Sequence, residues 1–338
     1  MKILFLTIGS EKTPSTRFRV KQYFPLLEQA HVEFRHVPIP HATLKRISLL
    51  KHLSWSDIVF LQKKLFSVWE LGLIKRFQRP LIFDMDDVIF QEHPVDAGTA
   101  RSERKITRKK NRFKATLEAA DIIITGNESL AADVERYGHQ AIILPTPVDT
   151  DRFIPRQTAS QQQHIVIGWI GTTRNLYYLD LIAQPLQNLC HRFPHIAVRL
   201  VSDGTKTLPG VRVENKAWTA QDEVSELQQF DIGVMPLTDD IYSRGKCGFK
   251  LLQYMSIGLP TVSSPVGVNR DIIDHSVDGF LANTALEWED CLAHLIQKAE
   301  LRRNMAREAR KKVVAHYSVK ALFPRFLDIL QKTYRQDT

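Results

Sequence analysis

Short, continuous apolar runs recur along the chain, separated by longer stretches whose apolar residues keep helical spacing. In the first half the runs are 2–8, 57–61, 81–84, 121–125 and 141–144; in the second they are 165–170, 196–202, 232–235 and 261–263. They are rich in Ile and Val and do not alternate, the pattern of strands covered on both faces. Helical period fills 18–29, 176–190 and 249–256. Strand–helix alternation predicts an α/β fold with parallel sheets joined by right-handed crossovers. The alternation breaks at 151–164 (DRFIPRQTASQQQH), a polar stretch that reads as a linker. Beyond it a strand, a glycine turn and a helix begin again. The expected organisation is therefore two Rossmann-like doubly wound domains, 1–152 and 160–317, with a cleft between them. The tail is almost wholly helical from 286 to 334, and 318–338 is expected to pack back on the first domain. Ligands of such sheets gather at the carboxyl ends of the strands.

Composition changes this picture little, and charge changes it more. With 338 residues, 43% of them hydrophobic, the chain can bury two cores, and disordered or collagen-like classes are excluded. Cys190, Cys247 and Cys291 are odd in number and widely spaced, which argues against a disulfide framework and a zinc site and for a reducing, cytoplasmic setting. No apolar run approaches the ~20 residues of a membrane span. The opening MKILFLTIG has too short an apolar stretch for a signal peptide and reads as a buried strand. The net charge is +9, from 46 Lys+Arg against 37 Asp+Glu, and 101–114 alone carries eight basic residues and one acid. On a helical wheel Arg101, Arg104, Lys105, Arg108 and Arg112 fill an arc of about 100°, with Ile106, Phe113, Leu117 and Ala120 opposite. Such a helix suits the surface of an anionic membrane, or is simply a solvated face. Nucleic acid is not expected as a partner, because no recognition module accompanies the patch.

The most informative stretch is FDIGVMPLTDDIYSRGKCGFKLLQYMSIGLPTVSSPVGVNRDIIDHSVDGFLA, residues 230–282. A strand ends at Met235, a polar loop follows, and Gly245, Lys246, Gly248 and Lys250 lead into a helix. Glycines at a helix start let backbone N–H groups meet an anion, and lysines there add mobile positive charge. These parts suit a diphosphate, although an ordinary loop with solvated lysines has the same composition.

This stretch resembles the nucleotide-sugar signature of glycosyltransferase family 4, in the subgroup with GKCxFKLLQYM, GLPVV and SPVGVN. Lys246, Cys247, Phe249, Lys250, Gln253, Gly258, Pro260, Gly267 and Asn269 fall in register. STRFRVKQYFPLL (15–27) resembles the family's first helix, and GWIGTTRNLYYL (168–179) its donor-domain glycine turn. The resemblance implies the GT-B fold and metal-independent, retaining transfer of a sugar from a nucleotide-diphosphate donor to a glycan or lipid-linked acceptor. The nucleotide sugar is then a substrate, and no cofactor is expected. The donor diphosphate is assigned to Gly171, Thr172, Arg174, Lys246, Gly248 and Lys250. The resemblance places Trp218 at the base and Gln253 at the ribose. One departure stands out: the family's two glutamates, eight positions apart, are Gly245 and Gln253 here. That leaves room for a non-catalytic nucleotide-binding partner protein as a second reading.

In the first half, LIFDMDDVIF (81–90) puts three carboxylates at a strand end. Asp86 and Asp87, with Lys250, are the candidate catalytic residues, the aspartates orienting an acceptor hydroxyl; capping of the next segment is the plainer role. Gly9, Arg17 and Arg19 follow the first strand and are candidates for the acceptor; Arg17 could equally meet the donor diphosphate, and pairing with an acid is the plainer role for Arg19. The same carboxylates also resemble the first motif of haloacid-dehalogenase-like phosphatases, with Asp84 as nucleophile, Asp86 as acid, and Asp239 and Asp240 as a metal pair. Against this, the motif does not lie on the first strand, and 230–282 is left unexplained.

Overall fold

A computed structural model describes residues 1–10, 13–42, 44–96, 100–156 and 164–335. The chain divides into two units: Met1–Pro147 with Gly245–Cys247 and Val319–Thr338, and Val148–Arg244 with Gly248–Ser318.

The first unit is built on a six-stranded parallel sheet: β1 (Lys2–Thr7), β2 (Glu33–Pro38), β3 (Ile58–Gln62), β4 (Leu81–Met85), β5 (Ile122–Thr125) and β6 (Ile142–Ile143), in the order β2-β1-β3-β4-β5-β6. β1, β3 and β4 are almost wholly buried, which is why their sequences are continuous apolar runs. The second unit repeats the plan with β7 (Ile165–Ile170), β8 (Ile196–Ser202), β9 (Val213–Ala217), β10 (Ile232–Met235), β11 (Thr261–Ser263) and β12 (Phe280–Leu281), in the order β12-β11-β10-β7-β8-β9. The strand order reverses once in each sheet, between β1 and β3 and between β7 and β10.

The nine expected strands are present. Three more, β2, β9 and β12, were not legible. β2 reads EFRHVP and β9 VENKA, edge-strand sequences with exposed or half-buried positions and charges in place of an apolar run. β12 is only two residues long. The helix expected over 18–29 is broken into α1 (Pro14–Arg19), a 3₁₀ turn (Lys21–Tyr23) and a second short helix ending at Gln29. Pro25 fits there at the start of that second helix, where its missing N–H costs nothing. The segment at 176–190 likewise begins as a 3₁₀ helix, Thr173–Ile182, before becoming α-helical at Ala183.

Three further helices matter below: α2 (Ala100–Ala119), α3 (Phe249–Ser256) and α4 (Val319–Arg335). α4 belongs to the first unit, where Leu322, Phe326, Ile329 and Leu330 join the core around Phe5, Tyr23 and Phe60. Tyr23 stacks on Phe326 with centroids 4.3 Å apart. Of the stretch that reads as a linker, 157–163 lie outside the described residues. Its start is not a loose tether: Phe153 is fully buried in the second unit, and its carbonyl accepts bonds from Ser256 Oγ (2.9 Å) and Arg310 (2.6 Å). The unit boundary accordingly falls at Pro147, before the polar run.

Candidate functional site

The carboxyl end of the first sheet carries a chain of buried charges. Asp84, near the end of β4, is 1% exposed, and the guanidinium of Arg19 on α1 grips both of its oxygens. Arg19 also donates to the Leu144 carbonyl at 2.6 Å. The apolar strand around Asp84 explains the pairing, since a buried carboxylate without a cation costs several kcal/mol. Arg19 is therefore a structural partner of Asp84 and does not present its charge to an acceptor. By the same geometry Asp84 does not present an oxygen as a phosphatase nucleophile would. Asp239 pairs with Arg244 at 2.6 Å, and Asp240 accepts the Ser243 N–H at 2.8 Å, so each of these two acids holds its own loop.

Asp86 and Asp87 face a residue that sequence reasoning missed. Lys63, just past β3, lies 3.1 Å from Asp86 and 3.4 Å from Asp87, and donates to Ser15 Oγ at 3.2 Å. Its backbone is left-handed (φ 57°), which turns the chain sharply at the strand end. Burial alone would push Asp86 upward; the charges of Lys63 and then Arg19 outweigh it and hold the carboxyl below its ordinary value. The same pair of aspartates drives the Lys63 ammonium upward against its own burial. Asp87 is the more accessible of the two, at 26% against 12%. Around this cluster, Gly9 leaves no room for a side chain beside Thr13, and the Arg17 guanidinium sits 4.4 Å from the Phe18 ring.

The segment Gly245–Cys247 belongs to this same unit. A Cβ on Gly245 would lie 2.3 Å from Val88 Cγ2, so this position has no space for the glutamate that the resemblance would put there. Asn127 Nδ2 donates to the Lys246 carbonyl at 3.0 Å. The Cys247 thiol donates to the Asp86 carbonyl at 3.1 Å; burial, reinforced by the nearby Asp86 carboxylate, pushes it up to about 12. Lys246 and Lys250, neighbours in the motif, thus fall in different units.

In the second unit, the ends of β7 and α3 converge. A Cβ on Gly171 would meet the Trp169 ring at 2.5 Å and Lys250 Cε at 2.9 Å, so the glycine makes room for both side chains. Lys250 Nζ lies 5.2 Å from the Trp169 ring centroid, a cation–π distance. Gly248 starts α3 in the left-handed conformation (φ 63°), and its missing Cβ leaves space for Ile272. Gln253 is one turn beyond Lys250 on the same helix face and is buried.

At the glycine turn, two backbone N–H groups are already bonded within the unit. The Gly171 N–H donates to Val201 at 3.0 Å, and the Thr173 N–H to Asp203 Oδ1 at 2.6 Å. Gly171 therefore contributes space, and Asp203, whose hydrogen bonds from Thr173 hold its carboxyl low despite burial, closes the turn. Thr172 and Arg174 are exposed there. Trp218 directs its indole N–H to Glu223 at 3.3 Å and its backbone N–H to Ser202 at 3.0 Å. Lys63 and Asp203 carry no motif, and Ser15 stands in the stretch 15–27 without having been singled out. The one signal for Lys63 in the sequence is a basic pair placed directly after an apolar strand. Among the described residues no cluster of His, Cys, Asp and Glu could hold a metal ion, and no helix is long and apolar enough to cross a membrane.

Residues 164–298, most of the second unit, match the family described as glycosyl transferases group 1. No curated protein matches the sequence. Among solved structures, the whole chain is similar to sucrose-phosphate synthase from Thermosynechococcus elongatus, with a TM-score of 0.74 and 14% identity, covering 99% of this chain and all of that one. It is also similar to Anabaena HepE, solved in complex with UDP and glucose, with a TM-score of 0.71 and 15% identity over 98% of this chain and all of HepE. A glycosyltransferase from Rickettsia africae gives 0.68 and 11%, covering 98% of each chain. The fold is GT-B, two Rossmann-like units in one chain.

Proposed function

We propose that this chain is a retaining glycosyltransferase of family 4 that moves a sugar from a nucleotide-diphosphate donor to a glycan or lipid-linked acceptor without a metal ion. The observation that carries the reading is the convergence of Gly171, Trp169, Lys250 and the glycine-started helix α3, inside the segment that matches the group 1 glycosyltransferases. As the bond to the leaving diphosphate breaks, negative charge grows on its oxygens. A positioned ammonium and a helix start stabilise that charge by several kcal/mol without reorganising. Lys250 supplies the mobile cation, and Arg174 and Thr172 line the exposed side of the turn. The acceptor hydroxyl attacks from the face that the diphosphate leaves, and a phosphate oxygen takes its proton. Asp87, the more open carboxylate beside Lys63, orients that hydroxyl, while Asp86 fixes Lys63.

HepE bound to UDP and glucose makes UDP the first nucleotide to test. Calorimetric titration of UDP into the full chain is expected to show saturable binding, weakened by Lys250→Ala with little change in melting temperature. Equal affinity in wild type and variant overturns the phosphate role of Lys250, and no binding of any nucleoside diphosphate overturns the function. The packing at Gly245, which excludes the glutamate, favours one second reading, a protein that binds the nucleotide without transferring sugar. Release of UDP from UDP-sugars in the presence of acceptor, absent under that reading, separates the two.

A further inference from the structure

A cavity of about 300 Å³ opens in the first unit. It is lined by the apolar Ile8, Leu65 and Ile89 and by six basic residues, Lys63, Lys64, Lys105, Arg108, Lys109 and Arg112. Ile8 follows β1 and Lys63 follows β3, so the cavity lies at the carboxyl ends of the two strands between which the sheet order reverses. That crevice is where open α/β sheets take their ligands. Lys105, Arg108, Lys109 and Arg112 are spaced i, i+3, i+4, i+7 on α2 and span about 100° of its circumference. They border the buried stripe of Phe113 and Leu117, with Lys109 and Arg112 half-buried and Lys105 and Arg108 exposed; Lys110 and Lys114 lie on the other side of that stripe. The side chains of residues 100–102 lie outside the described residues.

The charges are only partly balanced. Lys63 is taken by Asp86 and Asp87, Lys105 by Glu92 at 2.9 Å, and Lys109 donates to the Gln91 carbonyl at 2.9 Å. Among the described residues, no acid pairs with Lys64, Arg108 or Arg112. Lys64 is held below its ordinary value by burial and then by the charges of Arg46 and Arg112, as expected where cations crowd.

We infer that this cavity binds a phosphate or diphosphate group carried by the acceptor, with Lys64, Arg108 and Arg112 as its ligands. The inference rests on the glycosyltransferase reading for the word acceptor, and on the cavity alone for the anion. Two guanidinium forks and an ammonium lining one cavity match a compact polyanion. The phosphate belongs either to a soluble phosphorylated sugar or to a lipid-linked diphosphate.

The test is calorimetric titration of inorganic pyrophosphate into the full chain saturated with UDP, for wild type, R108Q/R112Q, the separate variant K64Q, and K250A. R108Q/R112Q and K64Q are expected to weaken pyrophosphate by about tenfold or more while UDP affinity stays within about twofold. K250A should do the reverse. Farnesyl diphosphate binding much tighter than pyrophosphate identifies a lipid-linked source, and equal affinities a soluble one; either supports the site. Unchanged pyrophosphate affinity in both cavity variants overturns it. So does binding to vesicles with about one-third phosphatidylglycerol that needs Arg108 and Arg112 but is not competed by pyrophosphate. Failure of UDP to bind wild type counts only against the donor reading.

Discussion

The carboxyl ends of the two sheets solve different problems with different materials. In the first unit the strand ends are packed with ionised side chains that largely satisfy one another: Arg19 with Asp84, and Lys63 with Asp86 and Asp87. In the second unit the corresponding edge is made by subtraction, with Gly171 clearing space for Trp169 and one cation, Lys250, and Gly248 clearing space for Ile272 at the start of α3. A group shared by many substrates, such as a diphosphate, can be met by backbone and a single flexible charge. A particular acceptor calls for a shaped and charged wall. Chemistry common to many proteins thus leaves a motif, and chemistry particular to one does not.

The largest effect expected from this contrast is at Asp84. Asp84→Asn leaves the Arg19 guanidinium buried without its counter-ion and should destabilise the first unit by about 3–5 kcal/mol, measured by urea unfolding followed at aromatic residues of that unit. A loss near zero would mean that the pair is solvated, and the contrast would fail. Lys250→Ala should cost UDP affinity about 1.5–3 kcal/mol, the range for a charge-assisted hydrogen bond, with the unfolding midpoint nearly unchanged. Gly171→Ala sharpens the comparison further. Its methyl must displace Trp169 or Lys250, so it should cost about 1–3 kcal/mol of stability and weaken UDP as well. In the first unit, by contrast, Gly72→Ala meets open space and should be tolerated.

The smallest effect is a pH dependence at the charged edge. Asp86 has a lower proton affinity in the fold than its ordinary value, so the folded state binds fewer protons there than the unfolded one. Its contribution is complete above the ordinary aspartate pKa of about 3.9, and falls away as pH drops through the lower native value. Asp86→Asn should flatten the acid limb of the first unit's stability profile and leave the neutral region parallel to wild type.

The α/β class and nine strands were readable because buried parallel strands leave unbroken apolar runs. β2 and β9 were not, because edge strands with polar faces look like loops. Of the candidate site, Lys250, Gly248 and Gly171 stood out because they lie in stretches that resemble a known family. Lys63 and Asp203 did not, since their partners lie far off in sequence: Asp86 is 23 positions from Lys63, and Asp203 is 30 from Thr173. Arg19 was placed at the acceptor because an arginine after a strand reads the same whether it faces a ligand or a buried aspartate. Only the fold distinguishes the two.

The position of α4 has a consequence for how the chain is born. Tyr23 and Phe60 find their partner Phe326 only after the whole of the second unit has left the ribosome. The usual order of synthesis, in which the leading domain matures first, is therefore reversed: 148–318 can close its own core while 1–147 waits with an open apolar face. A released chain truncated after residue 318 should carry a second unit that resists protease and a first unit that does not. Chaperones that recognise exposed apolar surface should engage the leading half of this protein for most of its translation.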